Sequence, residues 1–562
     1  MSSPINITVF TLIHIILLTI ADPLVELPLG KIVGSVKESV SGRKFYAFEG
    51  VPYAKPPVGV NRFEEPLPID PWNGTWMANT VHKCLQYRHL SGSDNEDPVI
   101  GLEDCLYLNI YTPSLDVNSN LDVIVFIHGG AFMFNYGAFQ GPQILLDKYV
   151  VYVNFNYRLG PLGFLSTEDD VVPGNNGIKD QIAALQFVQK YIRYFGGNPN
   201  SVTIAGNSAG GASVHFHYMI NKTEGLFHKG FSQSGTALNP WVIAENPLEK
   251  TTQISRLLGC STESTKEMIE CLKERPGKQI VETIPTFQPW LYNPFSPFAV
   301  VVDEWAKDPL LPEHPYKLLK KKLVRNVPWI ASHVNSEGLY PAAEFFADEQ
   351  HLDDLDKRWE EIVPYILHYN ETVDSEDIHA VNTKIRDYYF GDSAVNRQTY
   401  EDLVQMIGDR LFVTDIHKAV KLHAEASMAH TYLYYFTYRG DHSRSEGRSQ
   451  SKKNFGAAHG DDASYILSMA MDTRSNERDR AMSDFMVEMW LSVAKTGKPN
   501  VTHLEWTPVS RNTKRLKYLR ISSPDILLME ENGNLGNRDF WEPLPIRENE
   551  KLFERIRDKN EL

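Results

Sequence analysis

Residues 201–212 read Ser201-Val202-Thr203-Ile204-Ala205-Gly206-Asn207-Ser208-Ala209-Gly210-Gly211-Ala212. Ser201 to Ala205 is β-branched and half apolar, which predicts a strand. Gly206-Asn207-Ser208-Ala209-Gly210 then spells G-x-S-x-G, and Ala209 to Ile220 is predicted to continue as a helix. A serine at the turn of a strand-to-helix junction sits on a strained backbone, and small residues two positions either side let neighbouring chain pass close. Such a turn lifts Ser208 Oγ out of the sheet to where a base and a carbonyl carbon can both reach it. The alternative is a serine in an ordinary glycine-rich helix start, and the flanking strand and helix argue against that.

A second signal lies about eighty residues earlier. Asp122 to Ile127 reads as a buried strand, and His128-Gly129-Gly130-Ala131-Phe132 follows at its end. Acyl transfer builds negative charge on the carbonyl oxygen, and backbone N–H groups aimed at that oxygen stabilise it. Gly130, Ala131 and Ala209, the residue after the serine, are the natural donors of such an oxyanion hole.

With these two motifs in place, the chain resembles the type-B carboxylesterase and cholinesterase family of α/β-hydrolases, nearest in look to the insect carboxylesterases. The resemblance runs through nearly all of the chain after residue 25. It is carried by Phe48-Glu49-Gly50-Val51-Pro52-Tyr53-Ala54, by Glu103-Asp104-Cys105-Leu106-Tyr107-Leu108-Asn109, and by Asn156-Tyr157-Arg158-Leu159-Gly160-Pro161-Leu162-Gly163-Phe164. Gly174-Asn175-Asn176-Gly177 and Phe195-Gly196-Gly197-Asn198-Pro199 complete it. The implied fold is α/β: a central, mostly parallel sheet flanked by helices, with large insertions forming an active-site gorge.

The resemblance also supplies the partners of Ser208, since nine histidines lie beyond residue 340 and acids are plentiful. Chain order in this fold is Ser, then Asp or Glu, then His. The strand expected over 328–334 leads into Asn335-Ser336-Glu337-Gly338, the family's acid position, and Ala457-Ala458-His459-Gly460-Asp461-Asp462 matches its histidine loop. Glu337 and His459 are therefore the expected acid and base. His417 and His423 are expected to be solvated or core-edge helix residues, and Glu344 an exposed carboxylate. The implied mechanism has two steps, with His459 taking the Ser208 proton for acylation and then activating water, while Glu337 holds the imidazole. One residue departs from the family: Asn207 stands where a glutamate commonly precedes the serine, which reads as tuning rather than loss of activity.

At 562 residues, length alone suggests about four domains. Yet no linker or repeat divides the chain, and the expected organisation is a leader over 1–21 and one α/β-hydrolase domain over 22–562. The polar run from Arg439 to Lys453, with Arg444, Arg448 and Lys452, is expected to be a solvated loop at the gorge rim. Net charge −15 argues against nucleic acid, whose phosphates need an excess of Lys and Arg. No cofactor or metal is implied, and the oligomeric state is left open.

Thr8 to Ile20 is nearly unbroken in apolar character, and Ala21 before Asp22-Pro23 could end a secretory signal peptide. The segment carries no Lys or Arg ahead of its core. A short membrane anchor is the alternative, although the core is shorter than the ~20 residues that span a bilayer. Four cysteines allow three pairings. The resemblance implies Cys84–Cys105 and Cys260–Cys271, short loops whose closure contributes about 3 kcal/mol each in the entropic account. Asn73, Asn221, Asn370 and Asn500 head glycosylation sequons, which are used only in the secretory route. Lys559-Asn560-Glu561-Leu562 resembles the Lys-Asp-Glu-Leu retrieval signal, so the endoplasmic reticulum lumen, through a retrieval receptor, is favoured over secretion.

Three function classes follow. The leading one is a serine carboxylic-ester hydrolase acting on small-molecule esters through an acyl-enzyme, with a hormone- or pheromone-specific esterase as a narrower form. A non-catalytic adhesion relative is disfavoured by the presence of Ser208, Glu337 and His459. A stoichiometric scavenger of esters or organophosphates differs from the first only in turnover. A cholinesterase is disfavoured because the family's choline site uses a Trp inside the first disulfide loop, and none lies between Cys84 and Cys105. Trp241 resembles an aromatic position beside the acyl pocket; the plainer reading is a core tryptophan.

Overall fold

Leu121–Ile127 has no polar break after Asp122, so a sheet buried on both faces is the environment that suits it. In the computed structural model, which describes residues 22–88, 96–501 and 503–549, this strand lies inside an eleven-stranded sheet. The leader and the 559–562 tetrapeptide fall outside the described residues. In chain order the strands are β1 (Ser35–Glu38), β2 (Lys44–Pro52), β3 (Tyr107–Thr112), β4 (Leu121–Ile127), β5 (Val151–Phe155) and β6 (Gly197–Asn207). They continue with β7 (Lys229–Gln233), β8 (Trp329–Val334), β9 (Thr431–Phe436), β10 (Leu516–Ser523) and β11 (Ile526–Asn532). Across the sheet the order is β11-β10-β9-β8-β7-β6-β4-β5-β3-β2-β1. The run from β5 through β10 is parallel, and antiparallel strands close both ends.

Alternation along the strands divides the core in two. Val123, Val125 and Ile127 face one apolar cluster with Val202 and Ile204, and Ile124 and Phe126 face the other with Ala205 and Phe231. The first cluster is filled by helices α1 (Asn176–Tyr191), α2 (Ala209–His217) and α3 (Thr414–Ala426). The second is filled by α4 (Glu477–Thr496), whose Trp490 stacks on Phe231 at 4.8 Å. A chain of short helices between β8 and β9 runs from Leu339–Ala347 to Tyr400–Gly408.

The order of strands sets the position of the site. From β4 the chain crosses to β5 on one side, whereas β6, its neighbour on the other side, leads away to β7, so the connections leaving β4 and β6 run in opposite directions. Such a switch point opens a crevice. Register pairs Gly206 with Ile127 and Asn207 with Gln233, which brings the residues after β4, β6 and β7 together at that crevice.

Local departures from the sequence reading have plain causes. β6 starts at Gly197, before Ser201, because the Gly197 end pairs with Leu121 across a register shift. Helix α2 stops at His217, short of Ile220, where the Thr223 hydroxyl donates to the His217 carbonyl. His417 and His423 are buried rather than solvated or at the core's edge, since α3 is covered on several sides. Their rings meet other histidines, His417 Nε2 at 3.1 Å from His333 Nε2 and His423 Nδ1 at 3.2 Å from His215 Nε2. Burial pushes His423 down to about 3 and His417 well below its ordinary value, so both are neutral. Both expected disulfides form, Cys84–Cys105 and Cys260–Cys271.

A buried ion pair ties the frame together. Arg158, from the Asn156–Phe164 block, donates through Nε and Nη2 to the two oxygens of Asp180 on α1, each at 2.8 Å, and through Nη1 to the Glu64 carbonyl at 2.7 Å. Removing one partner of such a pair leaves an uncompensated charge and costs about 3–5 kcal/mol. Asp180→Asn should therefore lower the denaturant midpoint by an amount equivalent to about 3 kcal/mol; an unchanged midpoint would contradict this account.

Candidate active site

Ser208 sits between β6 and α2 with φ 62° and ψ −124°, a conformation that non-glycine residues rarely take. The surroundings hold it there. Its N–H donates to the Gln233 carbonyl at 2.8 Å, and its own carbonyl accepts from Ala212 N–H at 2.9 Å. A Cβ on Gly210 would stand 1.9 Å from the Ile127 carbonyl oxygen, and one on Gly206 would stand 2.3 Å from the Gly210 carbonyl carbon. Both glycines of the motif are thus required by close backbone approach. Asn207 Nδ2 donates to the Gln233 carbonyl at 3.4 Å, while its Oδ1 faces Arg444 Nη1 at 3.5 Å.

The structure brings Glu337 and His459 to this turn. Glu337 follows β8; Oε1 accepts from Val334 N–H at 2.9 Å, and Oε2 lies 2.6 Å from His459 Nδ1. An ionised carboxylate only accepts, so Nδ1 carries the proton and Nε2 is left as the acceptor a general base needs. Nε2 is buried, has no hydrogen-bond partner among the described residues, and faces the same cavity as Ser208. Phe412 at 4.6 Å and Tyr340, stacked at 5.4 Å, hold the ring in place. Ser336 N–H donates to the Ala457 carbonyl at 3.1 Å, which locks the acid loop to the histidine loop.

Two carboxylates that the sequence reading quoted without a role support that loop. Asp461 accepts from Ala458 N–H and from Arg444 N–H, each at 2.8 Å. Asp462 accepts from the Tyr434 hydroxyl at 2.8 Å and from Gln233 Nε2 at 2.9 Å. Burial raises Asp461 to about 6 and raises Asp462 as well. Acidic residues just past His459-Gly460 were the available signal, but the partners of Asp462 come from strands elsewhere in the chain.

At the expected oxyanion hole, Gly130 and Ala131 have φ 114° and 55°, and Ala209 is the first residue of α2. None of their three N–H groups bonds an acceptor among the described residues, although buried backbone donors are nearly always paired. His128 is not a second base. Its Nδ1 lies 2.8 Å from the Gly129 carbonyl, its ring stacks on Tyr157, and burial lowers it to about 4. Gln86 bonds both the Cys84 carbonyl and the Asn135 main chain, which couples the first disulfide loop to the turn beginning at Gly130.

Three expectations need correction or qualification. The run from Arg439 to Lys453 is not a uniform solvated loop: Arg439 pairs with Glu446, a short helix spans Ser445–Ser449, and Arg444 and Arg448 line the cavity. Only Lys452 and Lys453 of its named cations are exposed. Glu344 is half-buried rather than exposed, 3.9 Å from Arg448 Nε, and burial pushes its carboxyl up to about 7. Trp241 does not line the cavity around Ser208; it is buried, donates to the Leu411 carbonyl at 2.8 Å, and is separated from His459 by Phe412.

The model of the carboxylesterase family matches residues 21–541. The chain belongs to the carboxylesterase family. Venom carboxylesterase-6 of Apis mellifera is 41% identical over 526 residues, covering 92% of this chain and 94% of that protein. A carboxylic ester hydrolase of Bombus ignitus is 42% identical over 532 residues, covering 94% and 95%. The solved juvenile hormone esterase of Manduca sexta, with OTFP covalently attached, superposes with a TM-score of 0.81 at 25% identity, covering 96% of this chain and all of that one. The fold is α/β, with the mostly parallel central sheet that the resemblance implies.

Gly210→Ala should displace the turn, because the Ile127 carbonyl occupies the space of the new methyl group. A misplacement of about 1 Å costs on the order of 100-fold, so kcat/KM toward a simple ester should fall by about that factor with secondary structure retained. Unchanged kcat/KM would mean that the close approach is not needed.

Proposed function

We propose that the chain is a serine carboxylic-ester hydrolase in which Ser208 is the nucleophile, His459 the general base and Glu337 the residue that orients the imidazole. The observation that carries this reading is the buried Glu337–His459 bond at 2.6 Å, with the free Nε2 turned into the cavity of the strained serine. Ser208 Oγ attacks the ester carbonyl as His459 takes its proton, and the charge formed on the carbonyl oxygen meets the N–H groups of Gly130, Ala131 and Ala209. The proton then passes from His459 to the departing alcohol. Water repeats the sequence on the acyl-enzyme and releases the acid.

The same reading extends to location. The two disulfides and the exposed asparagines of three sequons, Asn73, Asn221 and Asn500, support a route through the secretory pathway; Asn370 is half-buried. Residues 22–562 form the mature enzyme, and the terminal Lys559-Asn560-Glu561-Leu562 returns it to the endoplasmic reticulum.

Ser208→Ala should abolish ester turnover and organophosphate labelling beyond the weak residual catalysis such variants keep, with the melting temperature retained. Labelling undiminished in that variant would overturn the assignment. For location, deleting 559–562 should move the protein from cells to medium; equal secretion of both forms would remove the retention claim and leave the catalytic one standing.

A further inference from the structure

The cavity at Ser208 is walled on one side by two guanidinium groups. Arg444 and Arg448 line it together with Ser208 and His459, flanking the short helix Ser445–Ser449. Both arginines are half-buried, and charged side chains drawn partly out of water are normally paired. Arg444 is not: its one side-chain hydrogen bond is the 3.5 Å contact with the neutral Asn207 amide oxygen, and no carboxylate lies within 4 Å of its guanidinium among the described residues. Asp461, the acid beside it, accepts from the Arg444 main-chain N–H instead. Burial and the neighbouring Arg448 lower the Arg444 guanidinium only to about 10, so it is charged at neutral pH.

Arg448 is little better compensated. Its guanidinium lies over the Tyr340 ring at 4.7 Å, and its single acid neighbour, Glu344, stands at 3.9 Å without a hydrogen bond. Two arginines therefore present unfilled donors to the cavity that holds Ser208 and His459. A guanidinium is a fork that suits carboxylate and phosphate oxygens, and its charge is held at all working pH values.

From this geometry we infer that the preferred substrates are esters carrying a second, ionised acid group, bound by Arg444 and Arg448 while Ser208 attacks the ester carbonyl. Asn207 has a part in this selectivity. A glutamate there would lie against Arg444 and neutralise it; the amide leaves that charge available to the ligand. The inference rests on the proposed ester hydrolysis at Ser208 and adds to it the charge class of the substrate.

The test compares matched esters that differ only in charge: 3-acetoxybenzoate against its methyl ester, for an anion on the leaving alcohol, and 4-nitrophenyl hydrogen adipate against methyl 4-nitrophenyl adipate, for an anion on the acyl chain. The quantity read is the ratio of kcat/KM, anionic over neutral. For at least one pair the ratio should be one or greater in the native enzyme and fall on raising the sodium chloride concentration, as charge attraction requires. It should drop about tenfold or more in Arg448→Gln, in Arg444→Gln and in Asn207→Glu, the loss expected for one hydrogen bond to a charged group. A merely structural role for the arginines, through Tyr340 and the His459 ring, would lower both members of a pair alike and leave the ratio unmoved. Should Arg444→Gln not fold, Arg448→Gln and Asn207→Glu carry the same comparison. Ratios below one in the native enzyme for both pairs, or ratios indifferent to all the variants that fold, overturn the inference. Absence of turnover with the neutral esters would instead strike the proposed hydrolysis itself.

Discussion

The strained backbone at Ser208 is the constraint on which the rest of the site depends. A left-handed φ at a serine is unfavourable by about 1–3 kcal/mol in isolation. It persists because the turn is packed from three directions: by the Ile127 carbonyl against Gly210, by Gly210 against Gly206, and by the Gln233 carbonyl that binds the Ser208 N–H. Those contacts come from β4, β6 and β7, so the turn is only as well defined as the registers among those strands. Once it is set, α2 must start at Ala209.

Electrostatics separates the roles of chemically identical residues. Histidines 128, 215, 217, 333, 368 and 423 are buried and held neutral by desolvation, most of them bonded to neutral partners. Among the described buried histidines, His459 is the one whose ring meets a buried carboxylate. A carboxylate so placed can hold the Nδ1 proton, which is what the proposed general base needs and what the histidines with neutral partners lack. The acids divide similarly. Glu337 accepts from a main-chain N–H and from His459, whereas Asp461 and Asp462 hold the loop in which His459 sits.

Much of this was legible in the sequence because it is local. The strand-turn-helix around Ser208 and the apolar run before His128 declare themselves within a dozen residues, whereas Glu337, His459 and both disulfide pairings came from the resemblance to the carboxylesterase family. What was not legible depends on tertiary burial. His423 looks like a helix-surface residue until His215 and Trp329 are placed against it. Arg444 and Arg448 read as part of a hydrophilic loop, because spacing in the chain says nothing about a cavity wall on the other side. Glu344 changes from a surface acid to a half-buried one for the same reason. Trp241 was read by resemblance as a pocket residue, and the packing of Phe412 between it and His459 could not be seen from the chain alone.

The central claim is that catalysis passes through a covalent acyl group on Ser208. Acid quenching during steady-state hydrolysis of a 4-nitrophenyl ester, followed by intact-mass measurement and peptide mapping, tests it most directly. The account predicts a mass increase equal to the acyl group, located on Ser208, that disappears after substrate is exhausted at a rate no slower than kcat. Steady turnover with acyl groups accumulating on another residue, or an adduct on Ser208 that decays more slowly than the enzyme turns over, would contradict it.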